Sequence, residues 1–286
     1  MTKLKKDLES RKAVVLETLP PRGPKRVKYM EFVRSMLDIE LTCVAVTDMP
    51  MARVRVSPWA VGHFLENEGI ETLVHFSRIS RNILRTEGDL LGMWMLGIKN
   101  VLLLSGDNPQ EGDYKNCSKI EDVNTTELIK LVKLLNHGTD PAGNKLNSST
   151  GFCVGGVFNH RNKAEIERTR KKLEAGVDFL VSQPVFDPTS LEKFYNQLGK
   201  ETHVLASIAM FKNTRQLEYF SSVPGIEIPS KLLSSIEKGD NYVQEYSAEY
   251  ALSVVEKLKT FVDGIYIVGI VRDRDFIARV AQVFRS

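Results

Sequence analysis

Gln183 is the polar residue at the end of VDFLVSQPVFD (residues 177–187), where an apolar run through Val177, Phe179, Leu180 and Val181 stops just before Pro184. An amide there can donate and accept hydrogen bonds at once, which suits the edge of a heteroaromatic ring. Glu17 stands in the same relation to Val14, Val15 and Leu16 and precedes Pro20-Pro21. A carboxyl at a partly desolvated strand end is pushed toward a proton donor's range, and a glutamate simply exposed after the strand is the alternative. Asp107 closes LLLSGD behind Gly106, a residue that lets a ligand come close to the backbone, though Asp after Gly also makes an ordinary turn or cap. His75 sits on an apolar strand, where a satisfied core histidine competes with a catalyst. Arg170, Lys171 and Lys172 read as a solvated helix face, with Ile166 and Leu173 on the buried side.

The elements that must position these groups alternate along the chain. Candidate strands are Ala13 to Glu17, Thr42 to Thr47, Thr72 to Phe76, Asn100 to Ser105, Phe152 to Val157, Val177 to Gln183, Val204 to Ile208 and Gly264 to Val268. They are continuously apolar, as parallel strands covered on both faces are. Amphipathic helices lie between them, marked by Leu128, Leu131, Val132 and Leu135 and again by Ala251, Val254, Val255 and Leu258. Eight such units predict an α/β single domain over residues 1–286, a (β/α)8 barrel with additional helices. An open doubly wound sheet is the runner-up, but no GxGxxG follows the first strand and no GxxxxGK[ST] occurs. Insertions at Asn108 to Val123, Asp140 to Thr150 and Phe211 to Tyr246 are long enough to expect function of them. Read as a barrel, the strand ends bring to one rim Glu17, Thr47, Asp48, His75, Ser105, Gly106, Asp107, Phe158, His160 and Gln183.

Composition excludes several classes. A formal charge of +3, from 39 Lys and Arg against 36 Asp and Glu, is too small and dispersed for nucleic acid. Residues 1–12, MTKLKKDLESRK, read as a basic solvated extension without a secretory core, and no later run is long enough for a membrane span. Cys43, Cys117 and Cys153 form no CxxC pair, so no metal or disulfide framework is expected and a cytoplasmic protein is.

The chain resembles the methylenetetrahydrofolate reductases, from about Val14 to Phe284. The likeness is carried by LETLPPRG, VTDMPMARVRVSP from Val46, LVHFS around His75, GIKNVLLLSGD, KKLEAGVDFLVSQPVFD and GIEIP ending at Pro229. GDY at 112–114, DVNTTELIKLVKLLN and PAGNKL bring it nearest to the reductase module that some bacteria fuse behind a homocysteine methyltransferase domain. The resemblance implies an oxidoreductase of one-carbon metabolism and methionine biosynthesis that reduces 5,10-methylenetetrahydrofolate to 5-methyltetrahydrofolate. The implied course is ping-pong hydride transfer through a flavin, with NAD(P)H as donor and a homo-oligomer as a possible assembly. The alternative is a folate-reducing or folate-binding subunit of a larger complex, fed by an electron-transfer partner or binding folate without turnover.

Residue by residue, the resemblance makes Glu17 the acid that protonates the folate nitrogen as its five-membered ring opens. Asp107 is placed at the flavin pyrimidine edge and the pterin, Gln183 on the pterin ring and Arg272 in the folate site. Thr47, His75, Ser105, Gly106, Asp107, His160, Glu165 and Lys172 fall where the family holds its flavin, His160 and Lys172 toward phosphate and Glu165 toward a ribose. Val74, Phe76, Ser77 and Arg78 depart from the family's usual threonine and cysteine, and Arg168 replaces a small polar residue. FAD is the flavin implied, with FMN or a flavin-free variant as alternatives.

Overall fold

A computed structural model describes residues 1–286 except Lys163, Lys200, Glu201, Pro224 and Ile270. Eight parallel strands close into a ring in sequence order: β1 (Ala13–Thr18), β2 (Cys43–Val46), β3 (Thr72–Ser77), β4 (Asn100–Leu104), β5 (Cys153–Phe158), β6 (Phe179–Ser182), β7 (His203–Ile208) and β8 (Gly264–Ile267). Ring closure is the β1–β8 pairing, with Val15 opposite Tyr266. Each expected strand is present, with ends shifted by no more than two residues.

Side chains alternate along each strand between lumen and helix shell. Ala13, Val15, Cys43, Ala45, Leu73, Leu102, Cys153, Phe179, Val181, Leu205 and Tyr266 fill the lumen. Phe179 fits because β5 is glycine opposite it: a Cβ on Gly155 would lie 2.4 Å from the Phe179 ring. The other register packs outward against the shell helices, among them Thr125–Asn136, Glu165–Glu174, Asp240–Leu258 and Arg274–Arg285. Thr125–Asn136 opens on a capping box between Asn124 and Glu127.

Residues 1–12 are not a solvated extension. Lys3–Glu9 is a helix whose Leu4 and Leu8 are fully buried against the lumen residues. Its free N–H groups at Lys3 and Leu4 donate to the Glu71 carboxylate at 2.6 and 2.8 Å. Leu4 and Leu8, one helical turn apart, give this basic segment an apolar face that closes the end of the barrel away from the strand C-termini. The insertion after β7 folds into the helices Thr214–Ser221 and Ser230–Leu233 and a 3-10 turn, Ser234–Lys238. They pack around Phe186, Phe211, Phe220 and Val243. No helix among the described residues is long and apolar enough to cross a membrane.

Candidate active site

Continuing the lumen register toward the strand C-termini changes its chemistry. Val15 is followed on the same face by Glu17, Ala45 by Thr47, Leu73 by His75 and Val181 by Gln183. Glu17 is largely buried, with 17% of its side chain exposed. Tyr266 donates its hydroxyl hydrogen to Glu17 Oε2 at 2.6 Å, and Gly269 N–H donates to Oε1 at 2.9 Å. A side chain on Gly269 would put its Cβ 2.9 Å from that same oxygen, so the approach requires glycine. Burial raises the Glu17 pKa above the ordinary carboxylate value, against the opposing pull of these two hydrogen bonds.

His75 Nε2 lies 2.8 Å from the Tyr266 hydroxyl and 4.0 Å from Glu17 Oε2. Burial lowers its pKa to about 3, so the ring is neutral at physiological pH and its approach to Glu17 is a dipolar contact. Burial, and then the neighbouring Glu17, push the Tyr266 phenol well above its usual value. The three side chains come from β1, β3 and β8 and form one hydrogen-bonded line. Tyr266 was not among the residues expected at the site. The available signal was its hydroxyl on the lumen register of GIYIV, two residues beyond Gly264.

Around the rim, Asp107 is exposed and its Oδ2 accepts from Met51 N–H at 2.6 Å. This clasp holds the loop after β2, in which Met49, Met51 and Ala52 all take left-handed backbone angles, each costing on the order of 1 kcal/mol. Gly112 seats the loop from the other side, where an added Cβ would lie 1.9 Å from Ala52 O. Asp113 accepts from Val54 N–H at 2.8 Å. Together with Ser77, Ile79 and Tyr114 this loop encloses a cavity of about 280 Å³ beside Asp107. Gly106 is left-handed, with its Cβ direction blocked by Ser77 and Ile79. Ser105 Oγ is 3.2 Å from Thr125 Oγ1, and Thr47 donates to Thr18 O at 3.3 Å. The Gln183 side chain is exposed at the mouth.

Beneath that rim a buried network was not legible from spacing. Asp48 accepts from Ser77 N–H and from Arg81, each at 2.9 Å, and Arg81 also lies 3.6 Å from Asp89. The guanidinium lies beside the Phe76 and Trp59 rings, at 4.8 and 5.2 Å from their centroids.

On the β5 side, Lys172 is buried, contrary to the reading of Arg170, Lys171 and Lys172 as one solvated face; Arg170 and Lys171 are exposed. Its Nζ donates to Glu165 Oε1 at 2.8 Å and to Val157 O at 2.6 Å. Ile166 and Leu173, the expected buried side, are only partly buried. The structure thus joins two residues expected to meet different parts of a flavin. His160 is buried, with no hydrogen-bond partner for either ring nitrogen among the described residues, and burial followed by Arg161 lowers its pKa to about 4. Two orphaned ring nitrogens fit a polar ligand such as a flavin phosphate or ribose. At Lys172 a phosphate would have to compete with Glu165 for the ammonium.

Arg272 is exposed at the mouth beyond β8, its carbonyl accepting from Lys212 at 3.1 Å. It belongs to an arginine group that the sequence did not reveal. Arg55 donates to Pro20 O at 2.7 Å, has its Nε buried without a partner among the described residues, and is lowered in pKa by burial and then by Arg22, Arg272 and Arg53. Asp113 is the carboxylate that offsets this charge, 3.4 Å from Arg22.

A family model described as methylenetetrahydrofolate reductase matches residues 3–280. A probable methylenetetrahydrofolate reductase (NADPH) of Caenorhabditis elegans is 21% identical over 257 residues, 85% of this chain and 37% of that protein. A 5,10-methylenetetrahydrofolate reductase of Pectobacterium carotovorum is 22% identical over 179 residues, 62% of this chain and 56% of its own. The chain therefore spans between about a third and somewhat over half of these relatives. Among solved structures, an uncharacterized protein from Clostridium thermocellum that binds two copies of 5-methyl-5,6,7,8-tetrahydrofolic acid superposes with a TM-score of 0.68 at 14% identity, covering 99% of both chains. Tryptophan synthase from Mycobacterium tuberculosis superposes at 0.59 with 10% identity, over 100% of this chain and 99% of that one. At such identities these two show the shared fold alone.

Proposed function

Because the chain belongs to the methylenetetrahydrofolate reductase family, we propose that it reduces 5,10-methylenetetrahydrofolate to 5-methyltetrahydrofolate with Glu17 as the general acid. The observation that carries this reading is the Glu17 carboxyl itself, set at the lumen mouth, raised in pKa by burial and aimed by Tyr266 and Gly269. A carboxyl whose pKa is raised by burial can give its proton to the folate nitrogen as the imidazolidine ring opens, leaving an iminium carbon that accepts hydride. A flavin, FAD by the family pattern, supplies that hydride when bound, after reduction by NAD(P)H.

In this reading the other side chains take roles that their placement supports. Gln183 offers both a donor and an acceptor to the pterin ring from the mouth. Asp107 stands on the rim, where its carboxyl holds the pterin amino group. Arg272, with Arg55, Arg53 and Arg22, faces the carboxylates of the glutamyl end. His160 takes the flavin's phosphate side, joined by Lys172 once Glu165 turns to a ribose hydroxyl. Thr47, His75, Ser105 and Gly106 line the flavin's ring end. Both substrates use this one mouth in turn, consistent with a ping-pong order.

The test is Glu17→Gln, which keeps shape and hydrogen bonding but cannot give a proton. It should retain reduction of the bound flavin by NADH, followed with menadione as acceptor, and lose folate reduction by at least about 100-fold. Equal loss of both half-reactions rejects the acid assignment. A yellow wild-type protein that oxidises neither NADH nor NADPH rejects the nicotinamide donor and favours a protein electron donor.

A further inference from the structure

The Tyr266 hydroxyl touches both Glu17 Oε2, at 2.6 Å, and His75 Nε2, at 2.8 Å. We infer that Tyr266 is a positioning residue that couples the protonation state of Glu17 to the tautomer of His75, its hydroxyl hydrogen turning from Glu17 to His75 when the carboxyl takes up a proton. The inference rests on the reading of Glu17 as an acid for its purpose, and on geometry alone for its existence.

Hydrogen-bond bookkeeping dictates the two arrangements. An ionised Glu17 can only accept, so Tyr266 donates to Oε2 and its oxygen accepts from His75 Nε2–H. A protonated Glu17 carries its hydrogen on Oε2, since Oε1 already faces the Gly269 N–H. That O–H donates to the Tyr266 oxygen, the phenol hydrogen turns to His75, and Nε2 must then accept, leaving the ring hydrogen on Nδ1. Along the line from Glu17 Oε2 through the Tyr266 hydroxyl to His75 Nε2, every donor has an acceptor in both states. A buried acid that must lose and regain a proton at each turnover thereby keeps its own oxygens and the phenol paired in either form.

The neighbouring groups leave Glu17 as the titrating member. His75 on β3 stays neutral, its pKa lowered to about 3 by burial. Tyr266 on β8 and Cys43 on β2, whose charge bears on Tyr266, are both pushed well above their usual values by burial. From β1 only Glu17 faces the phenol, and the Gly269 N–H does not titrate.

The experiment is a pH titration of the full chain without substrates, reading His75 by its ring ¹⁵N couplings and Glu17 by its ¹³C carboxyl shift. In the wild type, His75 should pass from the Nε2–H to the Nδ1–H tautomer on acidification, with the midpoint of the Glu17 carboxyl. In Tyr266→Phe the tautomer should no longer follow Glu17, and the carboxyl midpoint should rise by about one to two pH units, because a donor to the carboxylate is lost. The alkaline limb of folate reduction should move up by the same interval. One His75 tautomer throughout the wild-type Glu17 titration overturns the inference, whether or not the Phe variant folds. An unshifted Glu17 midpoint in Tyr266→Phe, or lower activity with an unmoved pH limb, overturns it as well. The two spectroscopic readouts stand even if the chain proves not to reduce folate.

Discussion

Removing the Glu165 carboxylate should destabilise this barrel more than a change near a helix terminus ordinarily does. Glu165 and Lys172 each expose 10% of their side chain, and Lys172 Nζ has two partners, Glu165 Oε1 at 2.8 Å and Val157 O at 2.6 Å. Glu165→Ala leaves the ammonium with one carbonyl and no counter-charge. Breaking a buried pair from one side costs about 3–5 kcal/mol, and the surviving Val157 bond places the loss at the lower end, about 3 kcal/mol. Lys172→Met should cost a similar amount, since among the described residues the other cation paired with Glu165 is Arg168, 3.6 Å away with 68% of its side chain exposed. The double variant Glu165→Leu/Lys172→Met replaces the pair by apolar volume and should fall within about 1–2 kcal/mol of the wild type. Urea unfolding of the four proteins measures the coupling. Single variants that each cost less than about 1 kcal/mol, the range of exposed pairs, refute the argument that this pair is desolvated, as does a double variant costing the sum of the two. The same series probes the flavin assignment: if Lys172 receives a phosphate, added FAD should recover stability in Glu165→Ala beyond its effect on the wild type.

Two further outcomes follow from the site. His75 and His160 have folded pKa values of about 3 and about 4, below the ordinary imidazole value, so their contribution to stability is intact above about pH 6.5 and is lost as pH falls toward those values. From pH 7 to pH 5 the two together should remove about 4 kcal/mol in equilibrium unfolding. Removing either imidazole should abolish about half of that slope, and an unchanged slope refutes the assignment; His203, raised by its hydrogen bond to Asp263, works in the opposite direction. Gln183→Ala should weaken folate binding by about 1–2 kcal/mol in calorimetry with little change in flavin content, and loss of flavin instead would move Gln183 away from the pterin.

Strand positions were legible because parallel strands covered on both faces read as unbroken apolar runs, and the lumen alternation then followed from Glu17, His75 and Gln183 sharing the register of Val15, Leu73 and Val181. The partner of Glu17 was not legible. Tyr266 is 249 residues away, and only ring closure makes the two neighbours. Lys172 was misread for a related reason: three consecutive cations resemble a solvated face, and their burial depends on how the helix rotates against β5. Leu4 and Leu8 were visible, but charge outnumbered them in MTKLKKDLESRK. The Asp107 clasp depends on left-handed angles at Met49, Met51 and Ala52, which no residue type there announces.

The β1–β8 seam ties the chemistry to the moment the chain becomes a closed ring. Before β8 pairs with β1, Glu17 is hydrated and has the acidity of any surface carboxylate. Its raised affinity for a proton comes from burial, which is complete only when β8 docks on β1, and the Tyr266 phenol that arrives with β8 moderates it. A nascent or partly refolded chain with β8 still undocked therefore carries an ordinary glutamate, and proton uptake at Glu17 marks the closing of the barrel.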